Sequence, residues 1–237
     1  MEQTQSFPKT KKINATVNMG KDTILTKEQK IIFGEIQKND FIRSNFYFTG
    51  GTALSEVYLK HRQSEDLDFF SAKKFDPQFL LNTITSWSKK YKLDFESQFR
   101  EPTNIYIINF GKGIKVKIDF SLYPYMSLGK KGIYRALEVD SELDIAVNKL
   151  LLVASQRLEI KDYVDLYFLL KKYSIWDLIL GVEVKFRMKV DPFLLASDYT
   201  MAEDFNLLPN MLKPLNLDDL KDYFRNEAKK LAKKYVV

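Results

Sequence analysis

Between Phe48 and Phe70 the chain passes from a strand-like run into a glycine pair, a short apolar helix and a second strand-like run. That succession restricts the fold more than any other feature of the sequence. Gly50 and Gly51 make a turn in which no Cβ obstructs the main chain, so backbone N–H groups at the start of the following helix can come close to a phosphate. Thr52 adds a hydroxyl there. Asp66 and Asp68 are two apart; on a strand both carboxylates lie on one face, while Leu67 and Phe69 point into the core. Converging carboxylates repel each other unless a cation lies between them. Hard oxygen ligands of this kind suit Mg2+ (or Mn2+), which also keeps waters and substrate phosphates in its shell. The segment can therefore hold a nucleoside triphosphate (NTP) together with its metal.

With 237 residues, 45% of them hydrophobic, the chain can bury a core in one large domain or two small packed ones. The absence of cysteine excludes a disulfide framework and thiolate metal sites. No apolar run approaches a bilayer span and the first residues lack an apolar signal segment, so no membrane association and a cytoplasmic location are expected. The net charge of +6 is concentrated at the ends: residues 1–30 carry six Lys against three acids, and residues 221–237 carry six basic residues against two. Basic ends around a near-neutral body fit either a nucleic acid or acidic partner touching the periphery, or solubilising lysines on exposed helix ends.

Periodicity orders the rest. Residues 1–25 are polar and aperiodic and read as an arm. Thr26 with Gln29 has the form of a capping box opening a helix. A strand is expected over Asn45–Thr49, a helix over Ala53–Leu59, the strand carrying Asp66 and Asp68, and a helix over Asp76–Tyr91 with Pro77 in its first turn. Phe95–Arg100, Asn104–Asn109 and Lys115–Leu122 read as an antiparallel meander. In the last of these, alternation places Val116, Ile118 and Phe120 on one face and Asp119 on the other, where it can join Asp66 and Asp68. After Gly132 the pattern is helical: one helix is capped by Ser141, a second starts near Lys161-Asp162, and a last spans Leu217–Tyr235.

Five pieces in this order, Thr49–Leu54, His61–Phe70, Val116–Asp119, Asp144–Lys149 and Arg157–Leu166, resemble the AbiEii/AbiGii toxin family of nucleotidyltransferases, over roughly residues 26 to 230. The resemblance implies an α+β fold in which a polymerase-β-like nucleotidyltransferase core, a mixed sheet with flanking helices, is followed by a C-terminal helical domain. The corresponding divisions are an arm at 1–25, the core at 26–132 and a helical domain at 133–237 that completes the active site. It further implies a metal-dependent toxin that transfers a nucleotide from an NTP to RNA, with the tRNA 3′ end as the expected acceptor, neutralised by a cognate antitoxin protein. Carried onto this chain, Gly50, Gly51 and Thr52 contact phosphates, with Arg62, Ser64 and Lys149 also on the nucleotide. Asp66, Asp68 and Asp119 bind metal, and Asp162 joins them in catalysis, with a general base as one role.

Each assignment has a plainer counterpart. Asp162 is also well placed as a helix N-cap, Lys149 as a solvated helix lysine, and Ser64 as a turn cap. His61 reads as a structural or surface group. Tyr106, Tyr123 and Tyr125 could stack on a base, though core packing accounts for them more simply. At the level of the whole protein, the alternatives are a catalytically silent module that binds RNA or a protein partner, and a glycosyltransferase using Asp-x-Asp.

Overall fold

The computed structural model describes residues 23–233. Most of the expected N-terminal arm, residues 1–22, and the last four residues of the basic tail lie outside them. The first helix, α1 (Lys27–Lys38), begins with the capping box its sequence announces: Thr26 Oγ1 accepts the Gln29 N–H at 3.1 Å and Gln29 Oε1 accepts the Thr26 N–H at 2.9 Å. A short α2 (Asp40–Asn45) follows, capped by Asn39. Then come β1 (Tyr47–Thr49), α3 (Gly50–Ala53) continuing as a π-helical stretch over Leu54–Leu59, β2 (Leu67–Ser71) and α4 (Pro77–Tyr91). The meander is β3 (Asp94–Arg100), β4 (Thr103–Asn109) and β5 (Lys115–Leu122).

The sequence pattern misplaces three features here. Helix α2 takes Asn45, the residue expected to open the first strand, because Asn39 supplies a side-chain cap six residues earlier. The helical region does not start after Gly132; a hairpin of β6 (Gly132–Tyr134) and β7 (Leu137–Val139) comes first. Strands of three residues are too short to show alternation. Asp66 lies just ahead of β2 and only Asp68 within it.

Five helices follow: α5 (Glu142–Ala154, capped by Ser141 as expected), α6 (Ile160–Leu169), α7 (Ile175–Phe186), α8 (Pro192–Thr200) and, after a 3-10 turn, α9 (Leu217–Lys233).

The strands form one mixed sheet in the order β3-β4-β5-β2-β1-β7-β6, with β2/β5 and β1/β7 parallel and the other pairs antiparallel. Its register at the centre is set by phenylalanine. Phe48 lies opposite Phe69 and Phe69 opposite Phe120, with ring centroids 5.5 and 5.3 Å apart, and Phe33 of α1 meets Phe48 edge-on at 5.1 Å. Slipping any strand by one residue would turn a phenylalanine out of the core. The same register therefore fixes what lies opposite what on the other face: Thr49 beside Asp68, and Asp68 beside Asp119. Among the described residues, no helix is long and apolar enough to cross a membrane.

Candidate active site

The face of the sheet away from the phenylalanine ladder carries the acids. Asp68 and Asp119 are direct neighbours on parallel strands, and Lys117, two residues before Asp119, spans to Asp66: its Nζ lies 2.6 Å from Asp119 Oδ2 and 3.7 Å from Asp66 Oδ2. Partial burial, then the charge of Asp119 and that of Asp66, push the Asp68 pKa up to about 7. Burial also raises Asp119, against the hydrogen bond and charge of Lys117. Asp119 Oδ1 is buried without a hydrogen-bond partner. As the side chains stand, no three carboxylate or imidazole groups among the described residues are gathered closely enough to clasp a cation. The ammonium of Lys117 provides the positive charge between Asp66 and Asp119.

The glycine pair fits against this cluster. Gly50 has φ +74°, and a Cβ there would sit 2.1 Å from Asp68 Oδ2, so the main chain passes the carboxylate at a distance only glycine allows. A Cβ on Gly51 would sit 2.6 Å from Arg62 Nη2 and 3.3 Å from Ser64 Oγ. The turn thus lies between the acids on one side and Arg62 and Ser64 on the other. The Thr52 hydroxyl is fully buried and donates to the Asp66 carbonyl, tying the start of α3 to the residue it must face.

Behind the turn is a buried ionic cluster centred on Asp165, whose role the sequence did not disclose. Asp165 Oδ1 accepts Arg62 Nε at 2.7 Å and lies 2.7 Å from His61 Nε2; Oδ2 accepts Arg62 Nη2 at 2.9 Å and lies 2.7 Å from Lys149 Nζ. Burial works to raise the Asp165 pKa, but Lys149 and Arg62 outweigh it and hold the group well below the usual carboxylate range. Burial lowers the His61 pKa against the opposing pull of Asp165; Nε2 faces Asp165 and Nδ1 lies 3.2 Å from the Ser55 hydroxyl. Lys149 is held in addition by Asp162 Oδ1 at 2.5 Å. The only signal for Asp165 in the sequence is its spacing, one helical turn after Asp162.

The loop between helix and acids is clamped from two further directions. Gln29 Nε2 donates to the Ser64 and Glu65 carbonyls, both at 2.9 Å, and residues 61–63 pair with 210–213 through Gln63 N–H to Asn210 O (2.8 Å) and Leu212 N–H to His61 O (2.8 Å).

With this geometry, sequence comparison becomes specific. Residues 37–234 match the family described as nucleotidyl transferase AbiEii toxin, of the type IV toxin–antitoxin systems. This chain belongs to the AbiEii family. It is similar to aq_aa25 of Aquifex aeolicus, an uncharacterized protein, at 34% identity over 139 residues, which is 58% of this chain and 63% of that protein, so the match spans under two thirds of the relative's length. Its fold is similar to a crystal structure of a candidate nucleotidyltransferase from H. pylori and to that of JHP933 from Helicobacter pylori. Both have a TM-score of 0.55 and 20% identity over 89% of this chain, covering 97% and 94% of those chains respectively.

In this AbiEii chain the residues expected at the site fall into two groups. Gly50, Gly51, Ser64, Asp66, Asp68 and Asp119 surround one position on the sheet. Arg62, Lys149 and Asp162 are buried behind it, neutralising one another with Asp165. Two of the plainer readings change. Asp162 does not cap α6, since Glu159 occupies that position and Asp162 lies in the first turn, and Lys149 is buried rather than solvated. His61 is structural, as expected. A groove lined by Pro77, Gln78, Leu81, Phe99, Asn104 and Tyr106 lies elsewhere: Asn104 and Tyr106 pair with Phe120 and Ile118, which puts it on the opposite face from Asp119.

Proposed function

We propose that the chain transfers a nucleotide from an NTP to an RNA hydroxyl, with the tRNA 3′ end as acceptor and a cognate antitoxin protein as its inhibitor. The observation that carries this reading is the registered pair Asp68 and Asp119, joined by Asp66 and met by a main chain without Cβ at Gly50. A hard divalent cation, Mg2+ or Mn2+, suits the set: the donors are carboxylate oxygens, the raised Asp68 pKa marks negative charge short of compensation, and Asp119 Oδ1 lacks a partner. Asp66, Asp68 and Asp119 would hold the ion, with Lys117 displaced towards solvent. Bound there, it would stabilise charge on the attacking and leaving oxygens.

The chain's own groups supply the rest. Backbone N–H groups at Gly51 and Thr52 receive phosphate oxygens at the start of the helix, where the peptide dipoles favour negative charge, and Ser64 adds a hydroxyl. The acceptor hydroxyl oxygen bonds to the α-phosphorus as the bond to the α–β bridging oxygen breaks. Pyrophosphate leaves with that electron pair, and the hydroxyl proton passes to solvent water. Asp162 acts through Lys149, which it holds beside the site, and Arg62 backs Gly51 so that the turn keeps its shape.

The test is incubation of the purified protein with Mg2+, each labelled NTP in turn and total tRNA. Label is expected on RNA, and Asp68→Ala should abolish it. Label on neither RNA nor protein with any NTP would favour the silent RNA- or partner-binding module instead.

A further inference from the structure

Among the described residues, Lys117 is the one cation paired with the acids of the sheet face. Arg62 is committed to Asp165, and Lys149 to Asp162 and Asp165. The place of Lys117 follows from register. Ile118 of β5 pairs with Leu67 of β2, so the residues just before them, Lys117 and Asp66, come side by side, and alternation puts Lys117 on the face of Asp119. Its neighbours Val116 and Ile118 are buried on the other face and hold it there. The ammonium thus spans two strands, to Oδ2 of Asp119 and Oδ2 of Asp66. The side chain is 36% exposed, so it can leave the acids for solvent without unpacking the core.

Lys117 therefore draws on the same carboxylates that a metal would use. A divalent ion bound to them and an ammonium held by the same groups are like charges a few ångströms apart, and each weakens the binding of the other. A bare ion gains only the difference between its own attraction to the acids and that of Lys117. An ion chelated by a triphosphate has more to gain. Backbone N–H groups at Gly51 and Thr52 receive the phosphates, and the added negative charge favours an ammonium released beside it.

We infer that Lys117 is an internal counter-ion that competes with free divalent cations at Asp66 and Asp119, so that the metal is taken up with the triphosphate rather than ahead of it. The inference rests on the metal and NTP reading of the acidic site. Lys117 takes no part in making or breaking bonds; it sets how strongly, and in which company, the ion binds. Removing its charge should strengthen one kind of binding without strengthening the other, which a lysine that only supports the fold would not do.

The experiment follows bound Mn2+ in the full chain at pH 7 by water-proton relaxation, in the wild type, Lys117→Gln and Lys117→Arg. The ion is supplied bare or as its equimolar tripolyphosphate complex. Lys117→Gln is expected to bind the bare ion about tenfold more tightly than the wild type does, and the complex no more tightly. The preference for the complex over the bare ion should therefore shrink by about tenfold. Lys117→Arg, which restores the charge, should return the preference towards that of the wild type. Bare Mn2+ should also raise the melting temperature of Lys117→Gln by more than that of the wild type, because it replaces the missing positive charge. Lys117→Gln binding the bare ion no better than the wild type, while both bind the complex, would overturn the role of Lys117 and leave the metal reading in place. No bound Mn2+ in any of the three chains, bare or complexed, would overturn both.

Discussion

Gly50 is the residue at which conformation and chemistry coincide. Its left-handed backbone and the approach of Asp68 Oδ2 each exclude a side chain, so Gly50→Ala should both strain the turn and push the carboxylate from its place. Nucleotide transfer should fall at least about a hundredfold, as for other losses of a few kcal/mol at a reacting centre. Gly51→Ala, whose Cβ would meet Arg62 Nη2, should show its larger effect in the melting temperature. Asp68 supplies a prediction about pH. Its folded pKa of about 7 is above the unfolded value of 3.8, so between those limits the folded chain binds more protons than the unfolded one. In metal-free protein its contribution to stability therefore falls as pH rises from about 4 to about 7 and stays low above that. Asp140, raised to about 6 chiefly by burial, acts in the same direction over the lower part of the range. Urea unfolding at pH 5 and pH 8 should show Asp68→Asn losing less stability than the wild type; equal losses would mean that Asp68 is not under this strain. These residues were legible in sequence because a glycine pair and alternating acids leave a local pattern. Arg62 and Lys149 entered only through the family resemblance and Asp165 left no more than its spacing after Asp162, since which cation meets which anion depends on three separate elements packing together.

At the scale of elements, the active register is enforced from the opposite face. Phe69 lies between Phe48 and Phe120, and Phe69→Ala should cost about 3–5 kcal/mol in denaturant unfolding, most of it from the cavity and lost ring contacts. Asp165 has a comparable position among the helices. Asp165→Ala leaves Arg62 and Lys149 buried with too little negative charge, and should destabilise by about 3–5 kcal/mol as well. A variant unfolding at the wild-type urea midpoint would contradict the ionic cluster. Long elements with a clear period, such as α4, α5 and the meander, could be read directly from the chain. The β6–β7 hairpin and α2 could not, because three to six residues hold too little periodicity and their identity comes from pairing with β1 and from a single Asn39 cap.

For the molecule as a whole, the sheet and the later helices are joined by polar contacts at the site itself. Asp165 on α6 holds Arg62 beside the glycine turn, and residues 210–213 pair with 61–63. Calorimetric unfolding should therefore give one cooperative transition. Two separated transitions would show that these contacts do not bind the halves together. The basic ends lie partly outside the described residues, and their expected contact with RNA is tested by salt: because Phe224, Ala228 and Leu231 of α9 are buried in the core, the test replaces the exposed Lys229, Lys230 and Lys233 by Gln, which should weaken RNA binding and flatten its salt dependence. The central claim concerns the carboxylates. Titration of Mn2+ into the full chain at pH 7, followed by electron paramagnetic resonance, should show a bound ion in the wild type and a large loss of binding in Asp68→Ala and Asp119→Ala. Folded variants that take up Mn2+ as the wild type does would contradict the account.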